Sequence, residues 1–406
     1  MRYPRILFLT TYYHPFIGGT ETHARQLAQY LSVNGFEVVI LTKCVASSFP
    51  IREQLDGIRV YRIPPGGERA PLQKWLMIPI AMLWILFLNH KFDLIYCPEY
   101  RGLGIAALLV GKLLRRPVVI RSANIGILQC QNFDQYFSRV GVTPQSRLAK
   151  FIKWPFQKLY SSASALVCNS RQTLEESSQC DPRPKKIFFI AQGVNTTRFR
   201  PASPREACRI RCEEGWPENC VIFIYVGRLS IEKGIVELVE AWRFIKDPDV
   251  LLVAIGPDMP GHPMDAGEKV RTLVMEAAMG DRVKLCGTRE DVPRLLRAAD
   301  VFVQPSTFET FSNAVLEAMA TGLPVIATNI PGMRECLIDG VNGLLCEVGI
   351  REDLVQKITL LVGDPGLRDR LGKEAKATVD RHFSESDIFE KFSSCFQEIS
   401  GQEISV

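Results

Sequence analysis

The stretch Pro305-Ser306-Thr307-Phe308-Glu309-Thr310-Phe311-Ser312-Asn313-Ala314-Val315-Leu316-Glu317-Ala318-Met319-Ala320 decides how this chain is read. It follows an apolar run, Ala299 to Gln304, that reads as a buried strand, and it opens a run from Asn313 to Ala320 that reads as a helix. Loops that lead from a strand into a helix hold anionic ligands in α/β proteins, because free N–H groups and the helix dipole point outward there. Two glutamates flank this helix start, Glu309 in the loop and Glu317 two turns into the helix. Carboxylates repel phosphate but accept hydrogen bonds from hydroxyl groups. A phosphate-binding helix end beside two hydroxyl-binding carboxylates describes a site for a sugar nucleotide. Set against that, both glutamates could be ordinary solvated residues, so a second element is needed.

That element is Tyr225-Val226-Gly227-Arg228-Leu229-Ser230-Ile231-Glu232-Lys233-Gly234. It follows Val221 to Val226, a strand-like run rich in β-branched and aromatic residues, and leads into a periodic segment with Ile235, Leu238, Val239 and Trp242. Arg228 and Lys233 therefore lie in a strand-to-helix loop of the same kind as the one carrying Glu309. Two cations there can neutralise a diphosphate, Arg by paired hydrogen bonds and Lys as a point charge. A charged loop without a ligand is the competing reading. The spacing G-x-x-x-x-G-K-[ST] of a Walker loop is absent.

Together these motifs resemble the family-four glycosyltransferases of the GT-B fold, and the resemblance runs over nearly the whole chain. Thr11-Tyr12-Tyr13-His14-Pro15-Phe16-Ile17-Gly18-Gly19-Thr20-Glu21-Thr22-His23 is similar to the family's first strand-to-helix loop. Gln192-Gly193-Val194-Asn195 through Phe199-Arg200-Pro201 is similar to its interdomain connection. Gly287-Thr288-Arg289-Glu290-Asp291, Ala299 to Ser306, Gly322-Leu323-Pro324-Val325-Ile326-Ala327-Thr328 and Asn342-Gly343-Leu344-Leu345 fit its second domain.

The resemblance implies an α/β chain of two facing Rossmann-like parallel-sheet domains with a cleft between them. Residues 1–195 would form the acceptor-side domain, 196–382 the nucleotide-sugar-binding domain, and 383–406 a helix crossing back to the first domain. It implies a retaining hexosyltransferase that moves a sugar from a nucleoside diphosphate sugar (UDP or GDP) to a hydroxyl of a carbohydrate or lipid-linked acceptor. Arg228 and Lys233 would stabilise the departing diphosphate, and Glu309 would contact the donor sugar. Glu317 would hold the ribose, and the N–H groups of Thr310, Phe311 and Ser312 would hold sugar hydroxyls and phosphate. Gly18 and Gly19 would let backbone N–H groups approach a phosphate or acceptor. No cofactor and no metal would be required. The alternative is a catalytically inactive nucleotide-sugar-binding partner of another transferase. One departure stands out. Many family members carry a first-domain histidine near the sugar, whereas this chain reads Arg121-Ser122-Ala123-Asn124 after one strand and Pro98-Glu99 after another. Glu99, Arg121 and Asn124 are the candidates to shape the acceptor side instead, with Gln129–Thr143 as part of an acceptor wall.

Composition agrees. With 406 residues, 47% hydrophobic and 23% charged, the chain suits two or three globular domains of about 150 residues each. A net charge of +5 does not call for nucleic acid but permits contact with an anionic membrane. The cysteines show no C-x-x-C pair and no histidine partners. They read as thiols in a reducing compartment, with Cys44, Cys97, Cys168 and Cys286 buried. The start leads straight into a short strand and reads as no signal peptide, which suggests a cytoplasmic protein, with the inner face of the membrane as a second reading.

Along the first half, strands at Ile6–Thr10, Phe36–Thr42, Ile58–Ile63, Asp93–Cys97, Pro117–Ser122 and Ala165–Cys168 alternate with helices at Glu21–Val33, Leu72–Asn89, Leu103–Leu114 and Ser146–Ser161. The second half repeats the pattern from Val221 to Leu345, after a composition shift near Gly193–Pro204. Helices at Arg351–Val362, Pro365–Arg381 and Ser384–Ser400 close the chain. Gly102-Leu103-Gly104-Ile105-Ala106-Ala107 is read as a helix entry, not a dinucleotide fingerprint, because no acidic residue follows at the required distance. Asp247-Pro248-Asp249 precedes its strand and is read as a turn, not a metal site. His23 is read as a surface histidine. The apolar run Lys74–Asn89 is too short to span a bilayer and reads as a partly buried helix. Arg147–Leu159 interleaves basic and apolar residues. It reads as a basic outer face over a packed apolar face, with an interfacial membrane helix as the second reading.

Overall fold

The computed structural model describes residues 3–15, 19–46, 48–64, 71–99, 102–122, 142–143, 145–180 and 183–401, with backbone only for 71–75. The chain divides into two units, Met1–Ala191 with Ile388–Val406, and Gln192–Asp387.

The first unit holds eight strands: β1 (Ile6–Thr10), β2 (Val38–Lys43), β3 (Arg52–Leu55), β4 (Ile58–Ile63), β5 (Leu94–Cys97), β6 (Val118–Ser122), β7 (Ala165–Cys168) and β8 (Ile187–Phe189). Their order is β3-β4-β2-β1-β5-β6-β7-β8, parallel throughout except for the β3–β4 hairpin. The central strand β1 is buried along its whole length, as a strand covered on both faces must be. On one face, Leu7, Leu9, Val39 and Leu41 pack against Met77, Ala81 and Ile85 of helix Pro71–Phe87 and Ala106, Ala107 and Val110 of helix Gly102–Leu114. On the other, Phe8 meets Tyr96 at 4.9 Å, and Tyr96 meets Phe396 of the last helix, Glu385–Ser400, at 5.2 Å.

The second unit holds β9 (Val221–Val226), β10 (Val250–Ile255), β11 (Val283–Leu285), β12 (Val301–Gln304), β13 (Val325–Thr328) and β14 (Leu344–Cys346). They lie in the order β11-β10-β9-β12-β13-β14, all parallel. The core gathers Phe223, Tyr225, Leu252, Val301 and Val303 around Trp242 of helix Ile235–Trp242.

Ile6–Thr10, Ile58–Ile63, Ala165–Cys168, Val221–Val226 and Asn313–Ala320 form with the expected bounds, and the other expected strands and helices shift by a few residues. The hairpin was not expected, because β3 alternates between exposed and half-buried residues and shows no apolar run. Its turn, Asp56-Gly57, has φ of 51° and 79°, the left-handed pair that a two-residue hairpin loop needs. Three further elements were also unread: helix Arg171–Ser178, strand β8 and helix Pro204–Glu214. Asp247 caps its own turn by accepting from the Asp249 N–H at 2.9 Å, as a turn should.

Three expectations are corrected. His23 is not on the surface. It is 1% exposed and packs against Phe392 at 5.3 Å, and burial holds its imidazole well below the usual range. Cys286 is half-buried, whereas Cys44, Cys97 and Cys168 are buried. Helix Arg147–Tyr160 packs only part of its apolar surface: Ala149 and Tyr160 are buried and Phe156 and Leu159 lie against the core, but Phe151 and Trp154 are 76% and 54% exposed, while Lys153 is buried.

Phe392 ties the last helix to His23 and Tyr96, touches Phe396 one turn along the same helix, and is fully buried. Phe392→Ala is expected to destabilise the protein by about 3–5 kcal/mol, read as a lower urea midpoint. A loss below about 1 kcal/mol would show that the helix is not held through this residue.

Candidate active site

In the second sheet β9 and β12 are hydrogen-bonded neighbours although helices and two strands separate them in sequence. The strand order reverses between them, since β9, β10 and β11 run one way from this point and β12, β13 and β14 the other. The loops leaving β9 and β12 thus emerge side by side at the sheet's carboxyl edge, the position where open α/β sheets bind ligands.

The first of these loops is held by its own strand. The buried Tyr225 hydroxyl donates to the Arg228 carbonyl at 2.8 Å, and the Leu229 N–H donates to the Pro257 carbonyl at 2.9 Å. Gly234 ends the loop with φ of 73°, and a Cβ there would lie 1.9 Å from the Pro305 carbonyl oxygen. Only a glycine lets the two loops approach this closely. The Thr307 N–H then donates to the Glu232 carbonyl at 2.9 Å. The second loop rests on helix Pro331–Arg334, where a Cβ on Gly332 would lie 2.1 Å from the Glu309 carbonyl oxygen.

This packing brings Lys233 Nζ into a hydrogen-bonded ion pair with Glu309 Oε1. Both side chains are largely buried, at 19% and 10% exposure. Gln304 Nε2 and Ser306 Oγ also donate to that oxygen, each at 3.4 Å. Arg228 reaches Glu232 one turn along its own loop, in a pair partly open to water. Each expected cation therefore already has a carboxylate.

Ser312 caps helix Asn313–Ala320 by accepting from the Val315 N–H at 3.3 Å, and its hydroxyl donates to Gln304 Oε1 at 2.8 Å. Thr310 precedes this cap, and the Phe311 ring packs edge-on against Phe383 at 5.8 Å. Glu317 is part-exposed, yet it is enclosed closely enough that burial pushes its carboxyl up to about 7, with Arg198 pulling weakly the other way.

In the first unit, Gly19 is the first residue of helix Gly19–Val33, while Gly18 and Asn124, and nearly all of 129–143, lie outside the described residues. Glu99 Oε1 accepts from the Thr11 N–H and, at 3.5 Å, from Thr10 Oγ1. It thereby joins the loop after β5 to the loop after β1, which are also neighbours at a reversal of strand order. Arg121 is 2% exposed, beside Tyr96 and His23, both of whose protonation it influences.

Four contributors escape the sequence reading. Glu232 pairs with Arg228, Gln304 and Ser306 support Glu309, and Arg198 acts on Glu317. Gln304 carries a signal, since it is a polar residue ending an apolar strand and is 1% exposed. Arg198 carries none. Among the described residues, no three His, Cys, Asp or Glu side chains converge as a metal site would need.

Two parallel-sheet units, one with cations and carboxylates at its reversal point, define a two-domain α/β protein of the GT-B fold. The sequence matches the family described as "Glycosyl transferases group 1" over residues 208–378 and "Glycosyltransferase Family 4" over 17–198, and the chain belongs to this family of glycosyltransferases. It is an enzyme of the hexosyltransferase class, whose members use nucleotide sugars. Among its relatives, the putative glycosyltransferase EpsD of Bacillus subtilis is 34% identical over 229 residues, 55% of this chain and 58% of that protein. The uncharacterized glycosyltransferase MJ1607 of Methanocaldococcus jannaschii is 26% identical over 411 residues, covering 96% and 94%. Among solved structures, Anabaena Alr3699/HepE in complex with UDP-glucose superposes with a TM-score of 0.76 at 23% identity, covering 98% of this chain and all of that one.

The close approach at Gly234 can be separated from its backbone angle. Gly340 has a similar φ of 70° but open space around it. Gly234→Ala is expected to lower the thermal midpoint well beyond Gly340→Ala, which incurs only the roughly 1–2 kcal/mol of left-handed strain. Equal effects would show that the contact with Pro305 is unimportant.

Proposed function

We propose that this enzyme is a retaining, metal-independent hexosyltransferase. It moves a sugar from a UDP or GDP sugar to a hydroxyl of a carbohydrate or lipid-linked acceptor, in the cytoplasm and in peripheral contact with the membrane. The observation that carries this reading is the ion pair between Lys233 and Glu309, which joins the loops after β9 and β12. The Anabaena neighbour's complex with UDP-glucose supports a nucleotide-sugar donor on this fold.

In this reading the charged side chains neutralise one another until a donor arrives. Lys233 satisfies Glu309, and Arg228 satisfies Glu232. An incoming donor exchanges these partners. Its diphosphate takes the two cations, and its sugar hydroxyls donate to the Glu309 carboxylate. As the glycosidic bond breaks, negative charge grows on the diphosphate, and cations already in position stabilise it without reorganising. Glu317 accepts from the ribose hydroxyls. Gly18 and Gly19 give the donor or acceptor close access to backbone N–H groups. Thr310, Phe311 and Ser312 present theirs at the helix start. Glu99, Arg121 and Asn124 belong to the acceptor side, Arg121 by fixing its neighbours from within the sheet.

Arg228→Ala and Lys233→Ala should each cost about 2.7–4 kcal/mol of transition-state stabilisation, seen as a large fall in kcat. Arg228→Ala should leave the folded state unchanged. Lys233→Ala should also lower stability, because Glu309 loses its buried partner. Turnover should survive EDTA. Nearly full activity in both variants, or activity lost to EDTA and restored by magnesium, would defeat the proposal. Nuclear magnetic resonance of the first-formed product tests retention.

Glu317 supplies a pH signature. Ribose hydroxyls donate more strongly to the carboxylate than to the neutral acid, so donor binding favours the ionised form. With the carboxyl at about 7, the donor KM should fall as pH rises through roughly one unit on either side of neutrality, while kcat changes little. Glu317→Gln should raise KM and abolish that dependence. Glu309→Gln should instead lower kcat, because it acts beside the reacting sugar. A flat KM profile in the parent enzyme would remove Glu317 from the donor site.

A further inference from the structure

Helices Pro71–Phe87, Gly102–Leu114 and Arg147–Tyr160 form one layer on the first sheet, with Gly102–Leu114 packed against both of the others. Their inward faces supply the core, but their outward faces are also apolar. Leu83, Phe87, Leu113, Leu148, Phe151 and Trp154 are between 54% and 76% exposed. They recur at helical spacing, as with Leu83 and Phe87, or Leu148 and Phe151, so they form stripes and not scattered positions. Soluble monomers rarely leave large apolar stripes of this kind uncovered.

The charge on the same helices is one-sided. Their sequences contain Lys74, Lys112, Arg147, Lys150, Lys153 and Lys158 and no Asp or Glu. Arg147, Lys150 and Lys158 are exposed and flank the apolar stripe of their helix, and Lys158 lies 5.0 Å over the Trp154 ring. An aromatic and aliphatic stripe rimmed only by cations is what a helix lying in a lipid headgroup region requires. A protein partner of mixed charge would give no reason for the complete loss of acidic residues. No described helix is long and apolar enough to cross a membrane, so the surface would rest on the bilayer and not enter it.

We infer that the outward face of these three helices, centred on Phe151 and Trp154, docks on an anionic lipid bilayer. The inference rests on the membrane-contact part of the proposed function and is independent of the transfer chemistry.

Sedimentation of the full chain with vesicles tests both. The chain should bind vesicles containing about one-third phosphatidylglycerol, release in high salt, and ignore phosphatidylcholine alone. The emission that Trp154→Phe removes should shift to the blue on binding. The double variant Phe151→Ser with Trp154→Ser should lower the bound fraction roughly tenfold with an unchanged circular dichroism spectrum, since both residues are exposed. Lys150→Glu with Lys158→Glu should do the same. If the parent chain ignores anionic vesicles, both the membrane reading and this surface are overturned. If it binds them and the two double variants bind equally well, only the surface is overturned. A lipid-free dimer that the apolar variant disperses would overturn the surface in favour of a second copy of the chain.

Discussion

Hydrogen bonding between β9 and β12 is the constraint on which the candidate site depends. Parallel strands cannot be joined by a tight turn, so each connection crosses over the sheet and every strand's carboxyl end opens on one edge. Where the order reverses, two such ends lie side by side with no crossover filling the gap between them. The loop carrying Arg228 and Lys233 and the loop carrying Glu309 meet there, 76 residues apart in the case of Lys233 and Glu309. Gly234 and Gly332 then set how closely the loops pack, through the space a missing Cβ leaves.

The electrostatics follow from that packing. A lysine and a glutamate both nearly withdrawn from water must pair, because either alone would carry the cost of an uncompensated buried charge. The outer pair, Arg228 with Glu232, is more exposed and correspondingly easier to exchange. The candidate site thus combines a buried pair, Lys233 with Glu309, and a wetter one that is easier to exchange. Glu317 differs again: it is enclosed, and its only resolved attraction, to Arg198, is outweighed by burial, so its carboxyl moves into the range where cells vary their pH.

The first unit uses the same architecture for other ends. Its order reverses at β1, where Glu99 bridges the loops after β5 and β1. One face of its sheet is closed by the aromatic side of the last helix, with His23 kept neutral among phenylalanines. The opposite face is closed by three helices whose outer sides remain apolar and basic. A helix of this kind satisfies its inner face with few large residues, so the exposed aromatic residues contribute nothing to the core.

The sequence by itself determined the class of fold, because buried parallel strands write themselves as short apolar runs such as Ile6–Thr10 and Val221–Val226, with glycines and polar loops between them. It also pointed to two strand-to-helix loops as candidate sites, since Arg228, Lys233 and Glu309 follow such runs before a helix and Glu317 lies within the second of those helices. It missed the Arg52–Leu55 hairpin strand, whose residues are mostly polar and whose only mark is Asp56-Gly57. Tertiary structure alone decided that His23 is buried, that Arg147–Tyr160 turns its aromatic residues outward, that Arg198 acts on Glu317, and that Lys233 pairs with Glu309. Periodicity along one segment shows which side chains share a face. What covers that face, and which distant charge it meets, depends on strand order and on the approach of loops far apart in the chain.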